Sequence, residues 1–288
     1  MVRPHQSFQS ACNLLAPVFV LFVSANSQNL DVRVHHMLFR EMAQQGSVLF
    51  RWRGYLPLFL LPLTIYAMTQ SGYFEAQFGD AAEEGLMLLS GLVSILGLVV
   101  RVVTIGYTPA GTSGRNAREQ RAEVLNTVGI YSIVRNPLYL GNYFMLLGVS
   151  LATMVWWLPV IVTLTFILYY ERIIFAEEAF LAAKFRSRYS DWAARTPLII
   201  PRFRQWKNTE LSFSPRTVLR REYNGFYALV VCFTLVELGT DLLGEGMSIA
   251  EWLADDFYWV WIFAGGTAVF LILRTLKRHT GLLTVSGR

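Results

Sequence analysis

Charge is scarce in this chain. Asp, Glu, Lys and Arg make up 16% of its 288 residues, where soluble domains carry about 25%. With 54% apolar and 14% aromatic content and a mean hydropathy of +0.40, that deficit excludes an ordinary soluble domain and points to an integral membrane protein. Cysteine and histidine are scarce as well, at 2 and 4 residues. Cys12 and Cys232 sit in apolar surroundings and read as small core residues, and no Cys/His spacing suggests a disulfide framework or a metal centre. No strand–turn–helix carries a glycine fingerprint of the dinucleotide kind, so a soluble doubly wound cofactor-binding domain is excluded. Lys and Arg are missing altogether from two stretches, 70–84 and 241–256.

That last absence orients the chain. The remaining stretches between apolar runs are basic, and 171–222 alone carries eleven Lys and Arg residues. The positive-inside rule then places both termini and the long basic loops in the cytoplasm. The net charge of +5 belongs to one membrane face, where anionic head groups are the nearer partner, and is not a nucleic-acid signal. Apolar runs near the ~20 residues needed to cross a bilayer occur at about 55–69, 85–106, 223–240 and 257–274. The run Leu138–Tyr170 is too long for one span, and Gly148, Trp156-Trp157 and Pro159 offer places to turn, so it reads as a tight helical hairpin. The expected architecture is all-α, with about six transmembrane helices and, over 171–195, a cytoplasmic amphipathic helix. In that helix Ile174, Glu178, Leu181, Phe185 and Tyr189 share one stripe. Trp156-Trp157 reads as an interfacial belt, and Glu237 as a residue snorkelling from the end of span five. A short apolar stretch behind Arg3, broken by Pro17, leaves residues 1–36 as either a signal-like segment or an over-extended start ahead of Met37.

Two polar clusters flank the hairpin. Arg135-Asn136-Pro137-Leu138-Tyr139-Leu140-Gly141 opens it, and Glu177-Glu178 stands just beyond its far end. Asn136-Pro137 has an ordinary reading as helix cap and first helical residue, Arg135 as an anchor and the glutamates as a solvated helix face. However, a hairpin brings its two ends to the same membrane face, so residues about 40 positions apart would meet there. An arginine at a helix mouth needs water, a partner or a ligand, and Glu178 among apolar neighbours needs a counter-charge.

In that order, Arg135-Asn136-Pro137-x-Tyr139-x-Gly141, the hairpin, Glu177-Glu178-x-x-Leu181, Phe185, Tyr189 and Pro201 resemble the isoprenylcysteine carboxyl methyltransferase and phospholipid methyltransferase superfamily. The resemblance runs from about Leu125 to Pro201. Gly111-Thr-Ser-Gly114-Arg115-Asn116 with Leu125-Asn126-Thr127 also looks like bacterial relatives that methylate a phosphate of lipid A. The family pattern has His at the position of Asn136. The resemblance implies an integral membrane enzyme with S-adenosylmethionine as cofactor, bound on the cytoplasmic side. Its implied catalytic residues are Arg135, Asn136 and Tyr139. The cofactor site would use Tyr131, Asn136, Pro137, Tyr139, Gly141, Glu177, Glu178 and Tyr189.

A carboxylate suits the cofactor's ribose or amino group, Arg135 matches a carboxylate or an anionic acceptor, and the tyrosines could stack on adenine or face the sulfonium. An anionic oxygen needs no general base, so the lack of histidine favours O-methylation of a lipid phosphate or carboxylate. Alternatives are a phospholipid N-methyltransferase, a membrane sterol-type reductase using a nicotinamide cofactor, and a catalytically silent membrane partner. The expected location is a bacterial inner membrane. The expected division is 1–36 extension, 37–124 spans one and two, 125–201 cofactor region and 202–288 spans five and six, with a membrane lipid as partner, no metal and no nucleic acid.

Overall fold

The computed structural model describes residues 41–109 and 122–287. The 1–36 extension and the stretch Gly111–Asn116 therefore lie outside the described residues, and the contacts below all fall within the compact unit Met42–Arg288. Among the described residues the chain is helical, with a single isolated bridge, Gly129 to Lys207, in place of any sheet.

The helices are α1 (Glu41–Trp52), α2 (Leu56–Met68), α3 (Gly72–Phe78) and α4 (Asp80–Gly106). The hairpin follows as α5 (Pro137–Leu151) and α6 (Trp157–Phe185), and a short α7 (Ser187–Ala193) comes after it. Next are α8 (Pro215–Thr240), prolonged by a π-turn over Asp241–Glu245, then α9 (Ile249–Asp255) and α10 (Phe257–His279). Leu88, Leu92, Ile95, Leu96 and Val99 lie exposed along one side of α4, a stripe that suits lipid rather than water.

The expectation of six crossings is corrected. Among the described residues four helices, α4, α6, α8 and α10, are long and apolar enough to cross a membrane, or five spans if α1 and α2, bent by 71°, count as one. The difference lies in the hairpin. Pro137 fixes one end of α5 and a turn at 152–156 ends it after 15 residues. At ~1.5 Å per residue that is about 22 Å, short of a ~30 Å hydrocarbon core.

The turn expected around Gly148 and Trp156 falls at Ala152–Trp156, with Met154 in the left-handed region at φ 58°. Gly148 serves packing instead. A Cβ there would overlap the Ser94 hydroxyl and the Ser90 carbonyl, and one on Gly97 would meet the Gly141 carbonyl at 2.5 Å. These small residues let α4 and α5 form the most extensive helix pair of the bundle. The Ser94 hydroxyl donates across the contact to the Met145 carbonyl at 3.0 Å. Small residues and interhelical hydrogen bonds are how helices associate where lipid removes the hydrophobic drive.

The amphipathic helix expected over 171–195 is also corrected. No Gly or Pro interrupts 171–185 and helix formers fill it, so α6 runs through Tyr170 without a break. It is 29 residues long, about 43 Å, so one end outreaches an apolar core of ~30 Å. The break comes at Arg186, at φ 48°.

Candidate functional site

The loop that leads into α5 is pinned before it reaches the motif. Gly129 takes φ 59°, a conformation glycine adopts without Cβ strain, and a 3₁₀ turn over Ile130–Ser132 follows. Residues 196–207 then lie along this loop as a strap. The Arg135 amide donates to the Pro197 carbonyl at 2.9 Å, the Arg202 amide to Ile133 at 3.0 Å, and the Gly129 amide to Lys207 at 2.8 Å. The Trp192 indole donates to the Tyr131 carbonyl at 3.0 Å.

Asn136 differs from its expected capping role. It stands at the N-cap and Pro137 follows it in the first turn, yet its side chain caps nothing. The reason is φ −122°, ψ 58°, outside the extended region from which a cap side chain reaches the first-turn amides. Its amide donates to the Leu198 carbonyl of the strap at 3.4 Å.

The hairpin brings the two clusters together. Arg135 Nη1 lies 2.8 Å from Glu178 Oε1, with both side chains half-buried. Arg135 Nε, on the guanidinium's other edge, is buried without a hydrogen-bond partner. Tyr189 faces both Arg135 and Glu178. Burial first, and then the Glu178 carboxylate, hold its phenol above its ordinary value of 10.0. On the neighbouring face of α6, Glu177 accepts from the Tyr139 hydroxyl, and Arg53 lies close enough to act on both. Tyr131 feels Glu177 from the loop, and burial above all raises its phenol too. Gly141 faces α4, where a Cβ would meet Arg101 Cγ at 2.5 Å. Its closeness is therefore to a helix, and that space is already filled.

Sequence reasoning missed the polar network beneath the motif. Arg101 on α4 is held by Glu222 on α8, with Nε to Oε2 at 2.7 Å and Nη2 to Oε1 at 2.8 Å, and by Asn142 on α5. Asn142 in turn bonds Tyr170. The signal was present: an arginine inside an apolar run with no acid on its own helix nearby must find a partner on another. Arg53, just beyond the end of α1, acts on the same pair of Tyr139 and Glu177 from outside the motif.

Residues 85–188, and hence nearly all of α4 and the whole of α5 and α6, match the phospholipid methyltransferase family. This agrees with the superfamily that the sequence motifs resemble and supports a membrane methyltransferase of the isoprenylcysteine carboxyl or phospholipid methyltransferase type. Two curated relatives are similar. The cobalt-zinc-cadmium resistance protein CzcN of Cupriavidus metallidurans is 32% identical over 127 residues, 43% of this chain and 56% of the relative. The nickel-cobalt-cadmium resistance protein NccN of Alcaligenes xylosoxydans xylosoxydans is 32% identical over 126 residues, with the same shares. The chain thus spans about half the length of the curated relatives it matches. No solved structure matches.

Proposed function

We propose that this chain, with its phospholipid methyltransferase match over residues 85–188, transfers methyl from S-adenosylmethionine to an anionic oxygen of a membrane-borne lipid. The acceptor is a phosphate or carboxylate, such as a phosphate of lipid A, and the transfer takes place at the basic face, read as cytoplasmic. One observation carries this reading: the hairpin sets Arg135 2.8 Å from Glu178 with Tyr189 facing both, and leaves the Arg135 Nε edge buried without a hydrogen-bond partner. A buried polar atom without a partner costs ~1–3 kcal/mol, and a ligand that offers an anionic group to that edge recovers the cost.

The residues fit such a group. Arg135 has an unused Nε edge for a carboxylate. Glu177 or Glu178 suits an ammonium or a ribose diol. Tyr131, Tyr139 and Tyr189 offer ring faces to adenine or a sulfonium. Pro137 sets the start of α5, and Asn136 holds the strap against the site. When bound, the cofactor supplies a methyl group on a sulfonium; its carbon–sulfur bond breaks, with the electron pair going to sulfur, as the carbon–oxygen bond forms. The chain's own residues align the acceptor and exclude water. Because the oxygen arrives deprotonated, no side chain has to remove a proton, and a carboxamide at Asn136 in place of imidazole leaves the reaction intact. Methylating a lipid phosphate also removes an anionic charge that attracts divalent cations, a chemistry in keeping with relatives named for cobalt, zinc, cadmium and nickel resistance.

The test is a titration of S-adenosylhomocysteine and, separately, of reduced nicotinamide cofactor into the detergent-solubilised protein. Saturable binding of the first, lost in Arg135→Ala and Glu178→Ala, is the expected result. Binding of the nicotinamide alone moves the chain to the reductases. Binding of S-adenosylhomocysteine without transfer of labelled methyl to any lipid extract leaves a silent partner protein.

A further inference from the structure

Residues 192–209 hold four Lys and Arg residues and no acid, and within them the strap turns its large apolar side chains outward. Ile200 is 77% exposed and Phe203 75%, and Ile199 and Trp206 are exposed as well. The backbone explains the outward turn. Pro201 has no amide to donate, the Arg202 amide is spent inward on the Ile133 carbonyl, and a 3₁₀ turn over Phe203–Gln205 follows. Side chains three apart eclipse in such a turn, so Phe203 and Trp206 stand on one side. The exposed Arg202, Arg204 and Lys207 alternate with them.

Facing water, such a row would be a liability, but the strap is held at membrane depth. The helix α4 is 27 residues long, about 40 Å, which matches a bilayer of ~40–45 Å with its head groups. Ile133 is buried in a cluster against Val100 and Val103 of α4. Those two stand three to six residues before the helix ends at Gly106, about 5–9 Å. Each head-group layer adds ~5–8 Å to the hydrocarbon core, so Ile133 lies at its inner boundary. One backbone hydrogen bond of 3.0 Å joins Ile133 to Arg202. The Lys207 amide donates to the Ser132 hydroxyl at 2.9 Å and fixes the far end of the strap at the same level.

We propose that residues 198–207 are a docking surface for anionic lipid head groups of the adjoining leaflet. The four apolar side chains insert among the head groups, and Arg202, Arg204 and Lys207 meet their phosphates. Chemistry selects that occupant. Apolar and aromatic side chains set among bases are what a segment lying on a membrane uses, and indole favours the head-group level. Trp206 already spends its N–H on Asn208 Oδ1 at 3.0 Å, so its ring enters without stranding a donor. The dock also adjoins the mouth of α5. The Pro197 carbonyl takes the Arg135 amide and the Leu198 carbonyl the Asn136 carboxamide, so lipid gathered on the strap is gathered beside Arg135. Docking itself does not depend on the methyltransferase reading.

Spin labels test the depth. With Cys12→Ser and Cys232→Ser in place, Ile200→Cys or Phe203→Cys carries a nitroxide, and the full chain is set in nanodiscs of mixed phosphatidylcholine and phosphatidylglycerol. Oxygen, which concentrates in lipid, should relax both labels more strongly than a water-soluble nickel chelate does. A bimane fluorophore at Phe203→Cys tests the charge. Brominated phosphatidylglycerol should quench it more than brominated phosphatidylcholine. Arg202→Gln with Arg204→Gln should lower that preference severalfold, since one base near an anionic surface is worth about fivefold. Should that pair fail to fold, Lys207→Gln should move the preference the same way. Labels that both prefer nickel overturn the proposal and leave the strap as a surface for a soluble partner. Equal quenching by the two lipids, or a preference that survives loss of the bases, overturns it too. Neither readout involves S-adenosylhomocysteine, so the docking surface and the methyltransferase reading fail separately.

Discussion

Replacing Glu222 with leucine isolates what the network under the motif is worth. Glu222 is 4% exposed and its partner Arg101 17%. The substitution therefore strands a guanidinium with only Asn142 left to receive it. Removing one member of a buried pair costs ~3–5 kcal/mol, because the other charge remains buried and uncompensated. At ~1.4 kcal/mol per tenfold, this shifts the unfolding equilibrium by roughly two to four powers of ten. Replacing both residues with methionine removes the stranded charge as well, and the double variant should return to within ~1 kcal/mol of the parent or exceed it. The assay is unfolding in mixed micelles of rising SDS fraction, read by tryptophan fluorescence for the parent, Arg101→Met, Glu222→Leu and the double variant. A double-mutant cycle then isolates the coupling. If Glu222→Leu lies within ~0.5 kcal/mol of the parent, or if the double variant loses the sum of the singles, the pair does not hold α4 to α8 as its geometry implies. Because Arg101 packs against Gly141, the single variants should also bind S-adenosylhomocysteine more weakly.

Gly148→Ala places a methyl group into the Ser90–Ser94 contact and should cost ~1–3 kcal/mol by overpacking, with cofactor affinity kept in the folded fraction under the same SDS assay. Tyr131 and Tyr189 hold their protons above the ordinary 10.0. Above that pH the native state therefore binds more protons than the unfolded chain, and stability should fall as pH rises through the window. Phenolate absorbance with melting temperature measured from pH 9 upward checks this; a native chain whose tyrosines all ionise together near 10 contradicts it. Asn136→Ala should speed amide exchange at Leu198 and its strap neighbours, whereas Asn136→His should leave labelled-methyl transfer within a few-fold, as expected for an acceptor that needs no base.

Much of the architecture was legible because lipid imposes strong rules on sequence. Each apolar run among the described residues became helical, and the hairpin returned Glu178 to Arg135 across forty-three positions. What hydropathy could not read was length against geometry. It counts apolar residues, whereas α5 is bounded by Pro137 and by the turn at 152–156, and nothing in composition says that the run stops short of a full crossing. Nor could a local stripe show whether α6 ends at the membrane surface, since only a breaker ends a helix and none precedes Arg186. At the site, the residues carried by the motif were found and those that act through tertiary contact were not. Arg53 follows α1, Asn142 lies on α5 and Glu222 on α8, and Asn136 points along the chain's return strap rather than into its own first turn.

Arg101 and Glu222 are also separated in time. They lie 121 residues apart in sequence, so at ~5–20 residues per second the ribosome delivers the acid about 6–24 seconds after the base. Asn142, only 41 residues downstream of Arg101, follows within about 2–8 seconds at the same pace. The nascent chain therefore meets a neutral partner first and its counter-charge last, and α5 acts as an interim host for a cation that the bilayer would otherwise reject. The order of helices along the chain is thus also a schedule for membrane insertion.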